Sequence, residues 1–181
     1  MSILPRGGPK PGLHAHANDR SVEPARTSAT SGTARDPAKR RSNPRHRARE
    51  FVLQGLYQWL VGGQDVVAIE AQAAGVPGFH KADQDLYSAL LSQSLDHAPS
   101  LQDLLGKHLD RPWAEISPIE RSILLLAACE FSRFPETPYR VVLNEAIELA
   151  KDFGGTDGHK FVNGVLDKLA AELRPAEAGK G

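Results

Sequence analysis

Residues 119–131, Ile-Glu-Arg-Ser-Ile-Leu-Leu-Leu-Ala-Ala-Cys-Glu-Phe, are apolar on nearly every side of a helical wheel. A helix of that kind has no face to offer water, so other elements must wrap it. Its start is marked by Ser117-Pro118-Ile119-Glu120: serine at the cap, proline at the first helical position and glutamate at the third, which is a capping box. Pro135 and Pro138 end it and open the next element. The chain must therefore build a helical assembly with this segment at its centre.

The flanking sequence supplies the wrapping. Phe51, Val52, Gly55, Leu56 and Trp59 lie on one face of a first helix that begins after Pro44 and stops at Gly62-Gly63. Val66, Val67, Ile69 and Ala73 predict a second, ending between Gly75 and Gly78. Leu86, Leu90, Leu91 and Leu95 predict a third, broken by Pro99; Leu101, Leu104 and Leu105, with His108 or Leu109, predict a fourth. A sixth runs to Phe153 and stops at Gly154-Gly155. In the seventh, Phe161, Val165 and Leu169 form one row and Val162, Leu166 and Leu173 the next. Asp157 is placed to cap it with its carboxylate. Gly164 interrupts that helix at a cost of about 1 kcal/mol relative to alanine, which predicts a neighbouring helix in close approach. No alternating run of strand length and no Asn-Gly hairpin competes. The expected fold is all-α with about seven helices.

Three regions follow from composition. Residues 1–43 contain no Phe, Trp or Tyr, are dominated by Pro, Gly, Ser, Thr and Ala, and show no apolar period, so they are expected to be disordered. Residues 44–175 form the helical domain, and residues 176–181 a flexible tail. The formal net charge of zero hides an asymmetry: residues 1–49 hold 11 Lys and Arg against 3 acids, and residues 50–181 hold 11 against 19. A basic arm on an acidic body points to a polyanion for the arm and permits a basic protein partner for the body. The single cysteine, Cys129, excludes an intramolecular disulfide and reads as a buried small hydrophobe. No apolar run reaches membrane-spanning length, and Met1-Ser2-Ile3-Leu4 is stopped at once by Pro5-Arg6-Gly7-Gly8, so no signal peptide is expected. A cytoplasmic location fits.

Three segments carry a family resemblance. They are Arg45-His46-Arg47-Ala48-Arg49-Glu50 with Gln54-Gly55-Leu56-Tyr57-Gln58-Trp59, then Val142-Leu143-Asn144-Glu145-Ala146-Ile147-Glu148-Leu149-Ala150-Lys151, then residues 157–169, Asp-Gly-His-Lys-Phe-Val-Asn-Gly-Val-Leu-Asp-Lys-Leu. Together they resemble the NusB family of bacterial transcription antitermination factors, over roughly residues 44–175. The resemblance implies two small three-helix bundles packed crosswise, with a short additional helix. It also implies binding to the boxA element of ribosomal RNA leader transcripts, jointly with a NusE-type ribosomal small-subunit protein. The assembly would load onto the RNA polymerase elongation complex with other Nus factors and promote processive elongation.

The candidate RNA-binding residues fall in two groups. Arg45, Arg47 and Arg49, with His46, are packed into five positions at the mouth of the first helix. Guanidinium groups bind phosphate in bidentate fashion and stack on bases, and an extended approach to the helix would fan them toward one surface. The bland alternative is a solvated basic tail; the resemblance favours RNA. His46 stands within the family's basic run, where a neutral imidazole would weaken one phosphate contact. Lys39, Arg40 and Arg41 are auxiliary. In the second group, Asp157, His159, Lys160 and Phe161 stand where the seventh helix begins, and a helix N-terminus favours phosphate. For Phe161 the apolar period favours core packing. Tyr57 falls off the apolar face of the first helix and is available for stacking, whereas Trp59 follows that face.

Chemistry of other kinds finds little support. Glu145 and Glu148 read as structural, with Glu148 placed to pair with Lys151 three residues on. His14 and His16 make at best an adventitious metal site, and no cofactor or metal is expected. There is no Gly-rich phosphate loop, metalloprotease histidine pair or nucleophile with a recognisable base. The protein is not expected to be an enzyme. One rival remains, a NusB-like module related to the front of ribosomal RNA cytosine methyltransferases. It would require a following cofactor-binding domain with catalytic cysteines, which a chain ending at Gly181 with one cysteine does not supply.

Overall fold

The computed structural model describes residues 43–179, and the expectations for residues 1–42, including Lys39, Arg40, Arg41, His14 and His16, lie outside them. Eight α-helices follow in order: α1 Pro44–Gly62, α2 Val66–Ala74, α3 Gln84–Asp96, α4 Ala98–Gly106, α5 Pro118–Arg133, α6 Tyr139–Phe153, α7 Gly158–Leu173 and α8 Pro175–Ala178. Short 3-10 turns at Phe79–Lys81 and Trp113–Glu115 precede α3 and α5. There is no strand among the described residues. The all-α expectation holds, with α8 added.

Local signals set most of the boundaries. Asn43 caps α1 by accepting from the Arg45 amide at 3.0 Å, and Pro44 takes the first helical position. Gly63 ends α1 at φ 64°, a left-handed conformation that favours glycine, and its N–H bonds to the Trp59 carbonyl. Asp65 and Asp83 cap α2 and α3 through the amides of Ala68 and Leu86. Ser117 accepts from the Glu120 amide at 3.2 Å, and its hydroxyl donates to the Glu120 carboxylate at 2.9 Å. Pro99 does more than break α3: it sits in the first turn of α4, where its missing N–H leaves no bond unmade. Asp157 is corrected. It stands at the cap of α7, but its carboxylate makes no capping bond and pairs instead with Lys160 at 2.9 Å.

α5 is the central element. Every residue from Ser122 to Phe131 is buried, and α5 packs against α1, α3, α4, α6 and α7. The helices α1, α2 and α3 pack on one another, as do α5, α6 and α7, so two three-helix groups share one continuous apolar core. Cys129 is wholly buried, and that burial pushes its thiol pKa up to about 11. Carbonyls at and just beyond the end of α5 accept from Arg174, whose buried guanidinium donates to Glu130, Phe131, Phe134 and Thr137. Residues Pro175–Ala178, the start of the expected tail, form the short helix α8. Within α8, Glu177 bonds Arg174 at 3.0 Å and accepts from the Tyr139 amide at 2.9 Å.

The close approach expected at Gly164 is also corrected. Gly164 is exposed, and a Cβ there would meet nothing within 4 Å. The close approach occurs at Gly55 in α1, where a Cβ would lie 2.8 Å from Ile69 Cγ2 and 3.0 Å from Leu91 Cδ1. The two glycines should therefore respond oppositely to alanine. Gly164→Ala is expected to stabilise the protein by about 0.5–1 kcal/mol, because it removes backbone freedom from the unfolded chain without a clash. Gly55→Ala is expected to destabilise it, since overpacking costs about 1–3 kcal/mol. Urea denaturation of both variants would check the opposite signs.

Candidate nucleic-acid interface

The first turn of α1 divides its cations between two directions. Arg45 is exposed, with its guanidinium 3.6 Å from Asp83. Arg47 is half-buried, and its guanidinium lies over Gly78: a Cβ on that glycine would be 3.0 Å from Arg47 Nη1. His46 and Arg49, three residues apart, turn into the protein and are 1% and 3% exposed. Arg49 forms a bidentate pair with Glu130 of α5, at 2.8 Å from Nε and 2.7 Å from Nη2. Burial works to lower the Arg49 pKa, and Glu130, with Glu145 and Asp83 behind it, more than reverses that, so the guanidinium is held above its ordinary value.

The expectation that Arg45, Arg47 and Arg49 fan toward one surface is thus corrected. Because Pro44 already lies in the helix, the motif is helical throughout: His46 and Arg49 share the face turned to Glu145 and Glu130, Arg47 lies off that face, and Arg45, one turn before Arg49, stays exposed at the helix end. Arg45 and Arg47 remain at the surface. Arg49 is committed to Glu130 and does not face solvent.

His46 is corrected in the same way. Its Nδ1 lies 2.6 Å from Glu145 and its Nε2 3.5 Å from Glu50. Hydrogen bonds to Glu145 and then Glu50 raise its pKa to about 9, against the opposing effect of burial. The imidazole is therefore charged at neutral pH, not neutral, and its partners are carboxylates. Asp152 closes this group, with ligand atoms of His46, Glu50 and Asp152 within 4.8 Å of one another. Glu145 has the structural role expected of it, and Glu148 pairs with Lys151 at 3.1 Å.

The second group is built around the start of α7. Asp157 and Lys160 are exposed and paired, and His159 and Phe161 are half-buried. Two residues join them that sequence reasoning missed. Arg111 lays its guanidinium over the Phe161 ring, 4.8 Å from the centroid. Glu120 points at the helix start, since a Cβ on Gly158 would lie 2.8 Å from its Oε1. The capping box marked Glu120 only as a cap, and Arg111 sits in a loop with no periodicity to single it out. Tyr57 is 38% exposed on α1, and Trp59 is partly buried against the core.

The two groups are not one patch. Arg49 anchors the first turn of α1 at Glu130, whereas the start of α7 meets Glu120. They thus stand at opposite ends of a ten-residue stretch of α5, about 15 Å long at helical rise. Among the described residues no helix is long and apolar enough to cross a membrane.

The fold is an all-helical one whose first helix opens on an exposed Arg45 and a half-buried Arg47. The NusB family model matches residues 46–171. The transcription antitermination protein NusB of Dechloromonas aromatica is 56% identical over 133 residues, spanning 74% of this chain and 82% of the relative. That of Delftia acidovorans is 52% identical over 170 residues, covering 91% of this chain and 79% of the relative, so the match takes in part of the N-terminal extension. Among solved structures, T. maritima NusB superposes with a TM-score of 0.64 at 28% identity, covering 77% of this chain and 99% of that one. A structure of NusB and NusE in complex with double-stranded RNA gives 0.60 at 21% identity, covering 74% and 98%, and shares the fold. The chain belongs to the NusB family, and the relatives it matches are transcription antitermination proteins.

Proposed function

We propose that this protein binds the boxA element of ribosomal RNA leader transcripts together with a NusE-type ribosomal protein, and that the assembly promotes processive elongation by RNA polymerase. The observation that carries the RNA reading is the division of the α1 motif. His46 and Arg49 are pinned to carboxylates of α6 and α5, and this leaves Arg45 and Arg47 at the surface on a rigid helix start. Cations held that way bind phosphate with little ordering cost. Phosphate contacts would position the strand, and unpaired bases would supply specificity. Tyr57, and Asp157, His159, Lys160 and Phe161 at the other end of α5, are second-rank contacts for a strand long enough to span both groups. The relatives' shared description as antitermination proteins supports the transcriptional role. The solved assembly of distant NusB and NusE proteins with RNA supports the choice of partner. The acidic excess of residues 50–181 suits a basic ribosomal protein.

The test is equilibrium binding to boxA RNA and to a scrambled RNA, over a range of salt. Arg45→Ala/Arg47→Ala is expected to lose most of the affinity with helicity unchanged. The slope of log affinity against log salt should fall by roughly 0.7 for each phosphate contact removed from a single strand. Added NusE-type protein should tighten boxA binding beyond that of either protein alone. Unaltered affinity and slope in the double variant would move the RNA site away from α1.

A further inference from the structure

The loop between α2 and α3 is clamped to the first turn of α1 at both of its ends. At one end Gly78, at φ 92°, lies beneath the Arg47 guanidinium, and any Cβ there would press on Nη1 at 3.0 Å. At the other end the Asp83 amide donates to the Pro44 carbonyl at 3.0 Å, and the Asp83 carboxylate lies 3.6 Å from Arg45. Between them Phe79 drives its ring edge-on against Phe51 and Tyr87, at centroid distances of 5.0 and 4.9 Å. The 3-10 turn is closed by the Lys81 amide on the Gly78 carbonyl at 3.1 Å. This turn is therefore a rigid part of the α1 mouth.

With Phe79 facing inward, the two residues that follow face outward. His80 and Lys81 are both exposed, and neither forms an ion pair among the described residues. Of the two acids that follow, Asp85 is exposed on α3, and the Asp83 carboxylate is occupied, capping α3 through the Leu86 amide and lying against Arg45. Four basic side chains, Arg45, Arg47, His80 and Lys81, thus flank one helix start, delivered by two segments more than thirty residues apart. No local motif marks the second pair.

We propose that the Phe79–Lys81 turn is the second wall of the RNA site, with Lys81 and His80 contacting backbone phosphates of the strand engaged by Arg45 and Arg47, and with Gly78 positioning Arg47. This inference rests on the reading of the α1 mouth as an RNA site, and it adds the loop residues that reading does not assign. The ligand is a single-stranded RNA backbone, recognised by charge and not by sequence.

The test measures binding of the full chain to boxA and scrambled RNA across a salt series. Lys81→Ala and His80→Ala/Lys81→Ala are compared with Arg45→Ala/Arg47→Ala and with Lys168→Ala, an exposed lysine on α7. Lys81→Ala is expected to weaken both RNAs severalfold and about equally, and to lower the salt slope by roughly 0.7, the value for one phosphate contact. The double variant should weaken both further, with thermal stability unchanged. If Arg45→Ala/Arg47→Ala lowers the slope and Lys81→Ala does not, the loop is no part of the site and the inference fails while the α1 reading stands. If Lys168→Ala lowers the slope as much as Lys81→Ala, the effect is one of overall charge and the inference also fails. If neither the arginine nor the lysine variants alter binding, both readings fall.

Discussion

Replacing Arg49 with alanine is expected to destabilise the protein by about 3–5 kcal/mol, the cost of breaking a buried ion pair from one side. The guanidinium is buried and donates twice to Glu130, with Nη1 a further 4.0 Å from Glu145. Glu130 lies within the buried Ser122–Phe131 run of the central helix and is itself buried. Without Arg49 its carboxylate loses the guanidinium that offsets its desolvation. The denaturant midpoint should fall with little change in slope. Arg49→Met/Glu130→Leu should recover most of the loss, because replacing both partners removes the stranded charge. The fraction of Arg49→Ala that stays folded should bind RNA nearly as the parent does, since Arg49 faces Glu130. A stability loss below about 1 kcal/mol, or a large loss of RNA affinity in the folded variant, would contradict this assignment.

The second large effect is a pH dependence carried by His46. Its folded pKa, about 9, stands above the ordinary value of 6.5 because Glu145 and Glu50 hold the imidazolium. The folded state therefore binds the proton more tightly than the unfolded chain. The resulting stability is fully present below pH 6.5 and is lost as pH rises through about 9. Its size is on the order of 3 kcal/mol, from about 1.4 kcal/mol per pKa unit. Unfolding free energies measured from pH 6 to pH 9 should decline accordingly in the parent and stay nearly level in His46→Gln. The Cys129 thiol, pushed from 9.0 up to about 11 by burial, adds its own loss only above pH 9 and leaves that window clear. A parent protein equally stable across the window would show that the His46–Glu145 bond does not hold the proton as described.

The helices were legible because their signals are local. Ser117 and Glu120 are three residues apart, and Gly63 follows directly on α1, so each boundary is written within one turn of chain. The burial of α5 was legible for a related reason: a segment apolar on all sides has no exposed solution. The errors came where a residue's fate depends on what another element brings to it. Gly164 and Gly55 look alike in sequence, yet only Gly55 is met by Ile69 and Leu91. Asp157 has the right type for a cap, but Lys160 takes its carboxylate.

By itself the sequence determined an all-helical chain, its central helix, the family to which it belongs and the arginine-bearing mouth of α1. Tertiary structure alone decided which of those cations point outward. Glu130 reaches Arg49 from 81 positions away and Glu145 reaches His46 from 99, while Gly78 and Asp83 bring His80 and Lys81 beside Arg45 and Arg47. Periodicity sorts apolar from polar on one helix, but it cannot rank one arginine against another. Among charged residues, burial is set by whether a distant carboxylate arrives to offset the loss of water.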